Sequence, residues 1–202
     1  MISTSVFLKE LKSFIFTAGG QLVGSVPDNG FDGEYEGFTL TSQSNGGAAK
    51  VRGIEVSYQQ QFTFLPGFLQ GFGLTANYTY LETKGDYGGA VQVTEVPGFF
   101  PRAGNIGLTF TKYGWDVRVL GTWRGKYLQT VNANPALISY RIPSYAANLK
   151  VKYNVNPKLA VFCDVEGILS NDFFGIYVVN ENRPIQTRLS APKIVAGVQS
   201  RY

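Results

Sequence analysis

Phe72-Gly73-Leu74-Thr75-Ala76-Asn77-Tyr78-Thr79-Tyr80 changes character at every step. Phe72, Leu74, Ala76, Tyr78 and Tyr80 are apolar or aromatic, and Gly73, Thr75, Asn77 and Thr79 between them are small or polar. A period of two belongs to a β-strand with one greasy face and one wet face. The same rhythm returns along the chain. Ile54, Val56, Tyr58 and Phe62 are set against Glu55, Ser57, Gln59 and Gln61, and Ile106, Leu108 and Phe110 against Asn105, Gly107, Thr109 and Thr111. Trp115, Val117, Val119 and Trp123 alternate with Asp116, Arg118, Thr122 and Arg124. Tyr145, Ala147, Leu149, Val151 and Tyr153 alternate with Ala146, Asn148, Lys150 and Lys152. Leu159, Val161, Cys163 and Val165 stand against Asp164 and Glu166, and Ile194, Ala196, Val198 and Tyr202 share the last face. Residues 3–17 are β-rich with a less regular pattern.

About eight strands result, most of them near the ~9–11 residues that cross a bilayer. Their connections alternate in length. Short turns fall near Leu65-Pro66-Gly67, Lys112-Tyr113-Gly114 and Asn154-Val155-Asn156-Pro157, all rich in turn-forming residues. Long polar connections span 18–48, 83–102, 126–143 and 170–190. Long-short alternation with aromatics near the strand ends is the pattern of an outer-membrane β-barrel. A soluble β-sandwich also tolerates eight strands with one wet face but does not call for that order. The expectation is an all-β fold of antiparallel membrane-barrel strands, with no helix between 50 and 125 and both ends on the periplasmic side. Leu74, Tyr78, Trp115, Val117, Leu149 and Val161 are expected to face lipid.

Composition narrows the function classes. No run of some 18 apolar residues exists, so no transmembrane helix is expected. The mean hydropathy of -0.03 suits strands divided between lipid and water. The chain has no histidine, which removes the commonest transition-metal ligand and general base. No metal site and no cofactor are expected, and an outer-membrane lipase or protease lacks support because a Ser-His arrangement cannot be built. The one cysteine, Cys163, excludes an internal disulfide framework and reads as a small apolar residue of the lipid face. A net charge of +4 is no argument for nucleic acid. The inward positions carry both signs, Arg118, Arg124, Lys150 and Lys152 against Asp116, Asp164 and Glu166, as in a wetted lumen.

Several motif-like stretches dissolve in context. Gly71-Phe72-Gly73-Leu74-Thr75-Ala76 fits a dinucleotide fingerprint formally, but the strand pattern runs on where a helix is required. Asp28-Asn29-Gly30-Phe31-Asp32-Gly33 hints at a calcium loop, yet Thr39 stands where the bidentate Glu belongs. Asp164 and Glu166 imitate a glycosidase pair and read as lumen charges. The sequon Asn77-Tyr78-Thr79 lies inside a strand.

Longer motifs carry a family resemblance. Gly47-Ala48-Ala49-Lys50-Val51-Arg52-Gly53-Ile54-Glu55 resembles the Gly-Ala-x-Val-x-Gly-x-Glu pattern on a descending strand of TonB-dependent outer-membrane receptors. Phe7-Leu8-Lys9-Glu10-Leu11-Lys12-Ser13-Phe14-Ile15 is similar to the segment that precedes it, and Leu65-Pro66-Gly67 through Tyr80 to the turn and ascending strand that follow. Val96-Pro97-Gly98, then Glu166-Gly167-Ile168-Leu169-Ser170-Asn171 and the closing Tyr202 keep the family's order. Ile168 stands where the family often has Asn, and Ser200 where an apolar residue is usual.

The resemblance implies that residues 1–202 are the C-terminal segment, about the last third, of a 22-stranded barrel. Met1-Ile2-Ser3-Thr4 runs almost directly into a strand, so the plug domain, its energy-coupling box and a signal peptide are all expected to lie outside this chain. The implied function is active uptake across the bacterial outer membrane of a scarce large nutrient such as a ferric siderophore, cobalamin or an oligosaccharide. Implied partners are outer-membrane lipid, the unknown nutrient, an inner-membrane energy-coupling protein acting through the plug, and the barrel-assembly machinery. A different class of reading is a complete eight-stranded barrel with a structural or adhesive role. Ligand contacts are expected on the long loops, at Tyr87, Phe99, Phe100, Arg102, Tyr127, Tyr140 and Arg141, with Phe173, Phe174 and Tyr177 as further aromatic candidates. Several of these aromatics are equally suited to an interfacial girdle or to packing loop on loop.

Overall fold

The computed structural model describes residues 1–24, 32–89, 91–132, 134–170, 174–178, 182–188 and 191–200. The strands in chain order begin with β1 (Ile2–Lys12), β2 (Ile15–Leu22), β3 (Thr39–Asn45), β4 (Ala48–Gln61) and β5 (Phe72–Gly85). β6 (Arg102–Lys112), β7 (Trp115–Arg124), β8 (Tyr127–Thr130), β9 (Ser139–Arg141) and β10 (Ser144–Asn156) follow. β11 (Leu159–Ser170), β12 (Phe174–Val178), β13 (Pro184–Arg188) and β14 (Lys193–Ser200) complete the series. Eight strands of this series make one sheet in the order β1-β4-β5-β6-β7-β10-β11-β14. Every neighbouring pair in it is antiparallel. The fold is the all-β membrane-barrel wall that the alternation predicts. Between 50 and 125 the described residues hold no α-helix, only a 3-10 turn at Gly67–Gly71 beside the expected Leu65-Pro66-Gly67 turn.

Register explains why the alternation matters. Leu74 pairs with Leu108, Leu108 with Val119, Val119 with Leu149, Leu149 with Val165 and Val165 with Ile194, so one apolar row crosses six strands. A parallel row runs from Phe110 through Val117 and Val151 to Cys163 and Ala196. Slipping any one strand by a residue would turn its apolar set to the wet face, which pins the register. Among the described residues no second sheet covers this face: Ile106, Val161 and Val198 are 56%, 42% and 67% exposed. A sandwich would bury them; a barrel wall presents them to lipid. Phe72 and Tyr80, Trp115 and Trp123, and Tyr145 and Tyr153 each stand eight residues apart on this outward face. Eight residues of strand cover about 26 Å, or about 20 Å of depth at the usual barrel tilt. Two aromatic girdles result, and the one at the short-turn end is tied laterally by Trp115 against Tyr153 at 4.7 Å and Phe72 against Phe110 at 4.9 Å between ring centroids.

The inward face is polar and cross-linked. Arg118 donates from Nε and Nη2 to Asp116 at 3.0 and 3.1 Å, Lys150 to Asp164 at 3.2 Å, and Asn105 to Asn77 at 2.8 Å. Glu166 is 3.8 Å from Lys193. Asp164 and Glu166 each therefore face a lysine. Gly53 keeps this wall close-packed: a Cβ there would meet the Phe7 ring at 2.7 Å and the Tyr80 carbonyl oxygen at 2.5 Å.

Connections differ at the two ends. Tyr113 and Gly114 both have positive φ, 55° and 83°, giving the two-residue hairpin that matches strand twist. At the other end the structure departs from the sequence expectation of plain polar loops. Residues 3–17 are not one strand: the chain breaks at Ser13, whose φ is 54°, and β2 then pairs with β3 as a hairpin inside the first long connection. Strands β8, β9, β12 and β13 form a small sheet of order β13-β12-β9-β8, drawn from two different connections. The residues buried together lie at this end, where Phe16, Tyr87, Leu128, Val131 and Ile138 form a cluster with Phe14, Val91, Val93 and Tyr140 packed on it. Residues 28–31 of the calcium-like stretch, and Tyr202, lie outside the described residues. β1 and β14 terminate the large sheet and are not paired with one another.

Candidate functional site

The loop cluster sits against the top of β5, which runs past the start of β6 and so leaves an edge free above Arg102. The connection 86–101 folds back onto that edge. Gly85 N donates to Thr94 O at 2.6 Å, Val96 N to Thr83 Oγ1 at 2.9 Å and Leu81 N to Pro101 O at 2.9 Å. Gly98 N then donates to Leu128 O at 2.9 Å, fastening the connection to β8. Between β5, this connection and the β8–β9 hairpin lies a cleft of about 330 Å³.

Four of the predicted contact residues line it, namely Phe99, Arg102, Tyr127 and Tyr140. Phe100 stands behind Tyr127, edge to face at 4.6 Å, and its own ring carries the Arg124 guanidinium at 5.1 Å. Arg102 lies 6.0 Å from the Tyr80 ring centroid, and Lys126 Nζ lies 4.6 Å from that of Tyr140. Such contacts hold cations over aromatic faces. Tyr80, Glu82, Glu95 and Lys126 also line the cleft. They escape a sequence reading because the first two belong to strand alternation and the others carry no local motif. Glu82 is engaged, accepting from Tyr80 Oη at 2.8 Å and from Arg52 at 2.6 and 2.9 Å.

The remaining candidates fall elsewhere. Tyr87 is 5% exposed, meets Phe14 and Phe16 edge-on at 5.3 and 4.9 Å, and donates its hydroxyl to Glu95 O at 2.5 Å. Burial, with Glu95 adding to it, pushes the Tyr87 phenol up to about 12. Arg141 belongs to β9, paired with Tyr127 on one side and Ile176 on the other, and does not line the cleft. Phe173 and the side chains of Phe174 and Tyr177 lie outside the described residues.

A lipid-facing wall thus carries an aromatic and cationic cleft at its long-loop end. The family described as TonB dependent receptor-like, beta-barrel matches residues 1–167. The chain belongs to that family. No curated protein matches the sequence. Among solved structures, the copper transporter OprC is 13% identical with a TM-score of 0.64 over 99% of this chain and 28% of its own. The catecholate import receptor Fiu from K12 E. coli, in its closed form, is 13% identical with a TM-score of 0.61 over 98% of this chain and 25% of its own. The unliganded ferric citrate transporter FecA is 16% identical with a TM-score of 0.59 over 77% of this chain and 24% of its own. These likenesses concern the fold, and this TonB-dependent receptor segment spans about a quarter of their length. Receptors of the family are outer-membrane proteins, and family and neighbours are receptors and transporters rather than enzymes.

Proposed function

We propose that this chain is the C-terminal wall of an outer-membrane active transporter, and that its loop-end cleft contacts a scarce nutrient on the way in. In this reading the parent barrel has 22 strands. Its plug domain receives energy from an inner-membrane coupling protein, and the barrel-assembly machinery inserts the whole. The observation that carries the reading is the convergence of Phe99, Arg102, Tyr127 and Tyr140 on one cleft at the long-loop end. Aromatic faces with adjacent cations suit planar or ring-bearing anions, such as ferric siderophores, better than neutral apolar solutes. The similar structures named as a copper transporter, a ferric citrate transporter and a catecholate receptor give the range within which cargo is to be sought. Cobalamin and oligosaccharides complete the panel. Tyr87 serves the site from beneath by fixing the connection that bears Phe99 and Phe100.

The test uses the full-length parent on intact cells. Uptake of iron-55 citrate, iron-55 catecholates, cobalt-57 cobalamin and labelled oligosaccharides identifies the cargo. Phe99→Ala, Tyr127→Ala and Arg102→Gln are then expected each to weaken binding by about five- to thirtyfold, the effect of one interfacial anchor. Unchanged affinity at normal surface expression rejects the cleft as the contact surface.

A further inference from the structure

At the short-turn end, the inward face of β10, β11 and β14 surrounds a small polar hollow. It measures about 90 Å³, and Lys152, Asn154, Asn156, Lys158, Ala160 and Gln199 are among the residues that line it. Lys152 and Asn154 stand two apart on β10, Asn154 pairs with Ala160 on β11, and Ala160 pairs with Gln199 on β14. Ala160 is buried and too small to fill the space above it. A bulge between Asn154 and Asn156 bends the end of the β10–β11 hairpin, so that both amides reach the hollow.

Nearer the middle of the wall the inward cations are neutralised. Arg118 takes both oxygens of Asp116, and Lys150 faces Asp164 at 3.2 Å. Asp116 is the register neighbour of Lys152, but Arg118 already occupies it. Lys152 donates instead to Gln199 Oε1 at 3.2 Å. Neither Lys152 nor Lys158 has an ion-pair partner among the described residues. Asn156 Oδ1 accepts from Lys158 N at 2.9 Å. With those two oxygens engaged, the Asn156 and Gln199 amides present their N–H groups, beside two ammonium groups. No carboxylate lines the hollow. Its volume is the share of about three liquid waters at ~30 Å³ each, the scale of one phosphate or carboxylate group.

We propose that this hollow binds one oxyanion group, phosphate or carboxylate, of a solute leaving the lumen. Outer-membrane barrels place their short turns on the periplasmic side, so the hollow stands at the exit, at the opposite end of the wall from the cleft of Phe99, Arg102, Tyr127 and Tyr140. Lys152 and Lys158 supply the charge, and the Asn156 and Gln199 amides supply directed hydrogen bonds. An anion that passes the neutralised middle of the wall meets uncompensated positive charge again here. That the solute is imported cargo rests on the transporter reading above; that the hollow takes an oxyanion does not.

The full-length parent in detergent, carrying Arg102→Gln to remove a cation of the entry cleft, is titrated by calorimetry at fixed ionic strength. Inorganic phosphate reports the bare oxyanion, and citrate reports a carboxylate borne by a larger solute. Both are expected to bind saturably and to compete. Lys152→Gln and Lys158→Gln should each weaken binding about tenfold, the effect of one lost charged hydrogen bond, and Lys152→Arg should retain most of it. Neither lysine substitution breaks an ion pair, so the variants are expected to fold. Lys112→Gln, whose ammonium is held by Gly67 O at the same rim, should leave binding unchanged. Absence of binding, failure of phosphate to displace citrate, or unchanged affinity in both glutamine variants overturns the proposal. The titration requires no identified cargo. A failed uptake panel therefore rejects the transporter reading alone, and a silent titration rejects the exit site alone.

Discussion

Tyr87 is held at both ends of its ring, by Phe14 and Phe16 at the edge and by Glu95 O at the hydroxyl. The neutral phenol is the form this pocket accepts. Its folded value of about 12 lies above the usual 10, so its contribution is complete below about pH 10 and is lost as pH rises through 12. In the refolded parent barrel, the ultraviolet tyrosinate difference between wild type and Tyr87→Phe should therefore show one tyrosine titrating near pH 12. A difference curve centred near pH 10 would mean that the ring is open to water. The two rings that meet Tyr87 come from about 70 positions earlier in the chain and Leu128, Val131 and Ile138 of its cluster from later in it, which is why its surroundings are invisible to a local reading. Phe99, Arg102, Tyr127 and Tyr140 are legible as aromatic and cationic residues of the long connections, but their meeting in one cleft depends on how two connections fold together against β5. Lys126 and Glu95 carried no signal at all.

At the scale of elements, what the sequence revealed follows the environment. Each strand of the large sheet separates lipid from water over the part that crosses the membrane, so period two is written into it and eight strands could be counted. The short strands β2, β3, β8, β9, β12 and β13 lie among loops with no such division, and their pairing is long-range, so nothing local announces them. Ser13, a non-glycine residue with positive φ, hid the division of residues 3–17. Adjacent positions on β7 test the two faces directly. Val119 pairs with Leu108 and Leu149 on the apolar row, whereas Leu120 pairs with Gly107 and Asn148 on the wet side. Val119→Arg is expected to cost about 2–4 kcal/mol near the bilayer midplane, and Leu120→Arg clearly less. Guanidinium unfolding of the parent in lipid vesicles measures both; equal losses would contradict the assigned facing.

For the whole molecule, the decisive feature is that β1 and β14 remain unjoined. A wall curved for a much wider barrel exposes both a bare apolar face and two strand edges. The isolated 202-residue chain is accordingly expected to aggregate in water and to fold poorly in detergent. Heat-modifiable migration with one sharp transition in detergent would instead indicate a self-sufficient small barrel.

The small outer sheet joins two connections that lie far apart in the chain, through Ile176 with Arg141, Tyr177 with Tyr140 and Val178 with Ser139. Lengthening either one shifts the register of both. An engineer who wishes to transplant recognition from one receptor to another would have to move residues 125–143 and 171–192 as a single cassette. By the same logic, inherited insertions in one of them should be accompanied by compensating changes in the other.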